Sequence, residues 1–341
     1  MPALHSRARI LIVCGALSLA AACAGGTLGR IGGDSTELPK ELSSDLKQRF
    51  EVKDPTKPEA TPSMLPISAP SPTPGVSPKS KKGKKKPVPQ ASPSPEPIVY
   101  PSRRGPKNPI WLSEKATYAI TYFGMEAGIF TLETLPLKSI DNRKVYHVRG
   151  TAESSKVFNL FYRINDVVET FIDYEGMFSH RFHLLLDETK QSRDSLELFD
   201  SVKAQTFYWN RWNHKEKGYT ETKEFQPITR FPQDSLSALF YMRTVPLPDG
   251  ATITFPVVSE GKTWEAVVTV VRREMLQTPL GRIQTVVVKP ETKYQGVLQK
   301  RGDSFIWLTD DDRRHLIRLE AKVKIGTVAA ELKRLEPGTP P

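Results

Sequence analysis

Short runs in which apolar and polar side chains alternate, separated by turn residues, fill the C-terminal two-thirds of the chain and predict a meander of antiparallel β-strands. The clearest run places Ile317, Leu319, Ala321, Val323 and Ile325 on one face and Arg318, Glu320, Lys322 and Lys324 on the other, so one side of the sheet is dry and the other wet. Tyr118, Ile120 and Tyr122 alternate before a turn at Glu126-Ala127-Gly128 that leads into Ile129–Glu133, and further strand runs follow at 145–148, 161–174, 178–186, 195–199, 204–209, 252–257, 264–271 and 282–288. Helical spacing is confined mainly to residues 233–243, where Asp234 can cap the N-terminus and Leu236, Leu239, Phe240 and Arg243 share a face. Ten or more strands against one helix predict a mainly β fold: a strongly curved antiparallel sheet or partly open β-barrel with one short covering helix. Its concave side is either core or binding cavity.

Before residue 110 the pattern changes. From Asp54 to Pro106 the chain is dominated by Pro, Ser, Lys and Thr, with few large apolar groups, and cannot offset the entropy of folding. The predicted organisation is an export signal over 1–22, a disordered N-terminal tether over 23–109, a β-rich domain over 110–337 and a disordered tail over 338–341. A coil from Cys23 to Ile110 would span roughly 50 Å when relaxed and well beyond 100 Å when stretched. Within the tether, Leu38, Leu42, Leu46 and Phe50 recur every four residues, which predicts a short helix with Pro39 in its first turn; at this length it is expected to fray.

The first residues read as an address. His5, Arg7 and Arg9 precede the apolar run Ile10–Leu19, and Ala20-Ala21-Ala22 then precede Cys23: a basic region, a short apolar region and a small-residue cleavage site in order. This resembles bacterial lipoprotein signal peptides, in which the cysteine after the small residues becomes the lipidated N-terminus; Leu19 stands one place further from the cysteine than is usual, and ordinary secretory cleavage is the alternative. The resemblance implies lipidation of Cys23, and Ala24 in place of Asp resembles lipoproteins sent to the outer membrane, facing the periplasm. Several acyl chains would anchor it stably, since each buried methylene contributes about 0.8 kcal/mol.

Charge sharpens the partner question. Residues 1–109 hold 17 Lys and Arg against 8 Asp and Glu, so nine of the eleven net positive charges lie there and the β-domain carries only +2. That argues against a nucleic-acid partner, which would call for a basic face on the folded part. Lys79, Lys81, Lys82, Lys84, Lys85 and Lys86 are either a solvated run or a docking site for an anionic surface such as peptidoglycan, lipopolysaccharide or acidic lipid. The two cysteines, Cys14 and Cys23, leave no cysteine after residue 23 to pair or to ligate a metal.

Tyr122-Phe123-Gly124-Met125-Glu126-Ala127-Gly128, Trp307-Leu308-Thr309-Asp310-Asp311-Asp312-Arg313-Arg314, Val323-Lys324-Ile325-Gly326 and Leu332 together resemble the exported bacterial family of domain of unknown function 3108, over about residues 112–334. The resemblance implies an envelope location and a β-rich fold and brings no activity, cofactor or catalytic residue.

No catalytic constellation emerges from the residues themselves. Gly302-Asp303-Ser304 reads as a hairpin turn, and Asp310-Asp311-Asp312 as a tight acidic turn neutralised by Arg313 and Arg314. His180 and His183 point to opposite faces of a strand, which speaks against a shared metal. The most unusual stretch, Tyr208-Trp209-Asn210-Arg211-Trp212-Asn213-His214-Lys215, sits at an expected loop tip; Tyr208, Trp209, Trp212 and His214 are either a ligand or partner contact or, for the two Trp, core filling. The leading expectation is a non-enzymatic, envelope-anchored lipoprotein whose β-domain binds a cell-wall, lipid or protein partner. Its rivals are an envelope-polymer hydrolase using Asp310 or Glu169, and a carrier holding a lipid chain in the concavity.

Overall fold

The computed structural model describes residues 36–55, 98–105, 107–295, 297–298, 303–323 and 326–341. The chain divides into two units, residues 1–55 with 100–341, and residues 56–99. Every element below belongs to the first unit. Cys23 and the six lysines from Lys79 to Lys86 lie outside the described residues, as do Gly302, Lys324 and Ile325.

The order is helix α1 (Ser44–Phe50); strands β1 (Lys115–Tyr122), β2 (Met125–Ile140), β3 (Arg143–Ser154), β4 (Asn165–Asp173), β5 (Ser179–Asp187), β6 (Gln191–Asp200), β7 (Gln205–His214) and β8 (Gly218–Pro227); helix α2 (Ser237–Thr244); and strands β9 (Thr252–Ser259), β10 (Lys262–Thr278), β11 (Gly281–Tyr294), β12 (Val297–Leu298), β13 (Ser304–Thr309), β14 (Leu316–Lys322) and β15 (Thr327–Glu336). They form one antiparallel sheet in the order β8-β7-β6-β5-β4-β3-β2-β1-β15-β14-β13-β11-β10-β9, with β12 a short flap on β11. Bulges in β2, β5, β10 and β15 add local twist and curl the sheet. The expected curved sheet is therefore present, and both α-helices among the described residues lie in segments whose spacing predicts them.

The sheet does not close strand to strand. A strap at Pro232–Gln233 bridges the gap instead: the Ser179 N–H donates to the Pro232 carbonyl at 2.9 Å, Gln233 donates to Pro256 at 3.0 Å, and Val258 donates to Gln233 at 2.7 Å. Edge strand β9 thereby satisfies backbone groups that would otherwise invite another chain. The β9–β10 turn is fastened as well, because Glu260 and Gly261 donate their N–H groups to the buried Glu197 carboxyl of β6.

The concave face carries the main core: Tyr118, Phe130, Tyr146, Val148, Ile172, Val286, Val288, Leu308, Ile317 and Leu332 meet Leu236, Leu239, Phe240 and Met242 of α2. Asp234 caps that helix as its sequence predicts, its Oδ1 accepting from the N–H groups of Leu236 and Ser237 at 2.7 and 2.8 Å, while Oδ2 accepts from Thr170 and Ser179 and so locks the helix to β4 and β5. Arg243, on the same face, makes a bidentate pair with Glu114.

The convex face departs from the expectation of uniform polarity. Ile140, Val145, Phe171, Leu196, Leu198, Phe207 and Trp209 form a second apolar cluster, covered by Leu42, Leu46 and Phe50. The segment expected to fray is thus docked: Ser43 caps α1, Arg49 pairs with Asp200, and the buried Arg181 guanidinium donates to the carbonyls of Thr36 and Glu37 at 3.2 and 2.7 Å. The helix starts at Ser44 rather than around Pro39, and its stability comes from the sheet, which local spacing does not reveal. Residues 36–55, which the sequence assigns to the tether, are consequently packed on the β-domain and belong to the same unit. Near the C-terminus, the single predicted run 317–325 ends at Lys322, where Val323 donates to Gly326 and turns the chain into β15.

Candidate functional site

Cross-strand register explains why the core is incomplete at one end. On the concave face, Phe130 of β2 stands opposite Ala152 of β3, and Leu132 opposite Gly150. Ala152 is in turn opposite Asp166 and Gly150 opposite Val168 of β4. Gly150 lets those strands pack tightly, since a Cβ there would lie 2.8 Å from the Val168 side chain. Ala127, Gly128 and Ala152 fill little space, and a crevice of about 110 Å³ remains among Ile120, Tyr122, Phe130, Val168, Phe182, Leu184, Leu186, Leu236 and Val328. The apolar cavity that admits benzene in an engineered protein measures about 150 Å³, so this one fits a ring or a short aliphatic segment rather than a whole lipid.

The mouth lies at Glu153, Ser154, Ile164 and Asp166. Asp166 is half-buried among carboxyls: its Oδ1 accepts from the Asp187 N–H at 3.0 Å, and Glu188 stands next to it, held by the Tyr162 hydroxyl and the Gln191 amide at 2.7 Å each. Burial, followed by the charge of Glu188, pushes the Asp166 carboxyl up to about 8. Near neutral pH the Asp166–Glu188 pair can therefore hold a proton at the entrance of the apolar slot. Sequence reading did not single out Asp166, because its inward direction depends on the β3–β4 register; the available signal was the pair of small residues Gly150 and Ala152 inside an otherwise bulky strand.

The profile of the family described as a protein of unknown function, DUF3108, matches residues 117–333, which spans β1 to β15 and every strand that lines the crevice. The chain belongs to the DUF3108 family. Comparison with curated proteins returns no match. Among solved structures, a β-barrel-like protein of domain of unknown function DUF1849 from Brucella abortus is 8% identical with a TM-score of 0.42, covering 66% of this chain and 98% of that chain. A protein described as a lipoprotein, from Parabacteroides distasonis, is 9% identical with a TM-score of 0.30, covering 70% and 97%. An exported protein with a YmcC-like fold from Bacteroides fragilis is 10% identical with a TM-score of 0.29, covering 66% and 96%.

In this DUF3108 domain the aromatic stretch is not a loop tip. Tyr208, Trp209, Trp212 and His214 all belong to β7, which is paired on both sides, and the turn begins only at Lys215. Tyr208 and Trp209 are buried on opposite faces. The Tyr208 hydroxyl accepts from Arg193 on the concave side, whereas the Trp209 indole joins the convex cluster, donates to Glu221 at 2.8 Å and lies under Lys223. Trp212 donates to Gln191 and meets the His214 ring edge-on at 5.3 Å. The four do not share one surface.

The other chemistry-bearing residues are tied into structure. His180 faces Asp173 and His183 faces Asp194, separate partners as the strand geometry requires. Glu169 holds His147 and Arg149 on the convex side of β4; Asp310, at the end of β13, pairs with Arg273. The structure brings neither carboxylate to the crevice. In the acidic turn, Asp311 accepts the N–H groups of Arg313 and Arg314, but the neutralising partners of Asp310 and Asp312 are Arg273 and Lys107. The Arg313 side chain goes instead to Glu114, and the Arg314 side chain to the Val245 carbonyl. Glu114 meets Arg243, Arg313 and His315 in a buried cluster; burial alone would raise its pKa, but the charge of Arg243 and the hydrogen bonds from His315 and Arg243 hold it down at about 2.

Proposed function

We propose that this DUF3108 protein is a non-enzymatic binding protein of the bacterial envelope, anchored through Cys23, whose β-domain takes an aliphatic segment of a lipid into the crevice between β1–β5 and α2. The observation that carries the reading is the crevice itself: an apolar slot opening at the end of the sheet, walled by side chains rather than filled, with Glu153 and the raised-pKa carboxyl of Asp166 at its entrance. Apolar surface of this shape gains free energy from hydrocarbon at about 25 cal/mol per Å² removed from water. A neutral Asp166 can donate to an ester or carboxylate oxygen of the head group without setting an unpaired charge in the slot.

Two measurements test the two halves. Mass spectrometry of the chain recovered from membranes should find residue 23 as an acylated N-terminus; an unmodified residue 23 removes the anchor. Organic extraction of the purified protein should release a lipid in near-stoichiometric amount. A lipid-free protein that also ignores a fluorescent fatty acid would refute the binding half and leave the anchor standing.

A further inference from the structure

Two neighbouring turns at the mouth of the crevice carry large apolar side chains that face water. Phe123 and Met125 flank the β1–β2 turn, and Val157, Leu160 and Phe161 occupy the loop between β3 and β4; all five are between 59 and 81% exposed. Their exposure does not come from a loose loop. Phe158 is packed onto Tyr122, Ala127 and Val328, the Ser155 N–H and hydroxyl donate to the carbonyls of Ala127 and Glu126, Ile164 donates to Ser154, and the Thr189 N–H donates to the Arg163 carbonyl. A base pinned on four sides thus holds five apolar groups outward, although water disfavours each.

We propose that this end of the sheet docks on a lipid bilayer, with Phe123, Met125, Val157, Leu160 and Phe161 inserted among the acyl chains. The patch is made of two adjoining tips interleaved with charge, at Lys156, Arg163 and Lys333, a form suited to an interface with apolar depth and polar head groups. Chain length agrees. Residues 24–35 separate Cys23 from Thr36 and span up to about 40 Å when extended. Thr36 is fixed on Arg181, and from Arg181 to Asp187, beside the pinned loop, is six residues of β5, about 20 Å. An acylated Cys23 and the apolar tips can therefore engage one membrane together. Docking goes beyond ligand uptake and does not require it, while placing the mouth of the crevice against the phase that holds its ligand.

The test uses residues 24–341, which retain every described residue and contain no cysteine, so single cysteines can carry an environment-sensitive dye. With vesicles of phosphatidylethanolamine and phosphatidylglycerol, dye at Leu160→Cys or Met125→Cys should brighten and shift to the blue. Dye at Leu280→Cys, an exposed leucine in the β10–β11 turn at the other end of the sheet, should not. The combined Val157→Ser, Leu160→Ser and Phe161→Ser variant should bind vesicles at least about tenfold more weakly with unchanged melting, since half-burial of each group supplies a several-fold factor. Absence of a shift at 160, equal shifts at both ends, or parent-like binding by the triple variant would each overturn the proposal. So would a concentration-dependent dimer that the triple variant abolishes without any vesicle signal, because the tips would then cover one another. Ala152→Phe, which fills the crevice, should leave docking intact, and the triple variant should still take up a fluorescent fatty acid delivered without vesicles; failure of one site is thereby read separately from failure of the other.

Discussion

Replacing Leu46 by alanine asks whether the segment before the Pro-rich stretch is tether or fold. Leu46 is buried on the convex face with Leu42 and Phe50, against Phe171, Leu196 and Leu198. A leucine truncated in a closed core costs about 2–5 kcal/mol, but α1 is only seven residues long and can lift off locally, which caps the loss near the docking free energy of the segment. The expected cost is about 2 kcal/mol, a fall of roughly 4–8 °C in Tm for a domain of this size. Thermal unfolding followed by near-ultraviolet dichroism measures it. Amide exchange should report where the loss occurs: faster exchange across 44–50 and at the Lys53–Ser139 bridge, with β10 and β11 unchanged. A Tm within experimental error of the parent, with those amides unprotected in both proteins, would show that α1 is not docked and would restore a long tether.

Three further outcomes follow from the buried carboxyls. Burial raises Glu197 to about 8, so the folded protein keeps a proton that the unfolded chain releases near 4.5; stability should fall between those pH values and level off above, and Glu197→Gln should melt higher than the parent at pH 9 but alike at pH 5. The opposite sign holds for Glu114, whose depressed pKa means that its contribution is present above about 4.5 and is lost as pH falls toward 2; Glu114→Gln, which strands Arg243 and Arg313, should destabilise at pH 7 by about 3 kcal/mol, with a difference that shrinks in acid, measured by urea unfolding. Uptake of a fluorescent fatty acid should weaken as pH rises through about 8 and Asp166 ionises at the crevice mouth, and Asp166→Asn should abolish that dependence; an unchanged profile would remove Asp166 from the site.

How far the fold could be read in the chain depended on the range of the information. Alternation placed most strands, and the spacing of Leu236, Leu239, Phe240 and Arg243 behind Asp234 placed α2, because each signal is local. Strand β8 escaped notice: as an edge strand its Gly218–Pro227 sequence is almost wholly solvated, and dense polar residues such as Glu221 and Lys223 mask the alternation. Trp209 and Trp212 suggested a loop because Asn210, Arg211 and Asn213 are poor strand formers, yet pairing to both β6 and β8 overrides that preference. The docking of α1 and the crevice were illegible for a common reason. Each is created by residues far apart in the chain, Phe50 meeting Leu196 in one case and Gly150 facing Val168 in the other.

The most direct test of the account is a titration of a fluorescent fatty acid into the parent and into Ala152→Phe, whose ring would occupy the space opposite Phe130. Saturable one-to-one binding by the parent, lost in Ala152→Phe while Tm and vesicle docking are retained, is the predicted result. Equal binding by both proteins, or none by either, would contradict a crevice built to hold hydrocarbon.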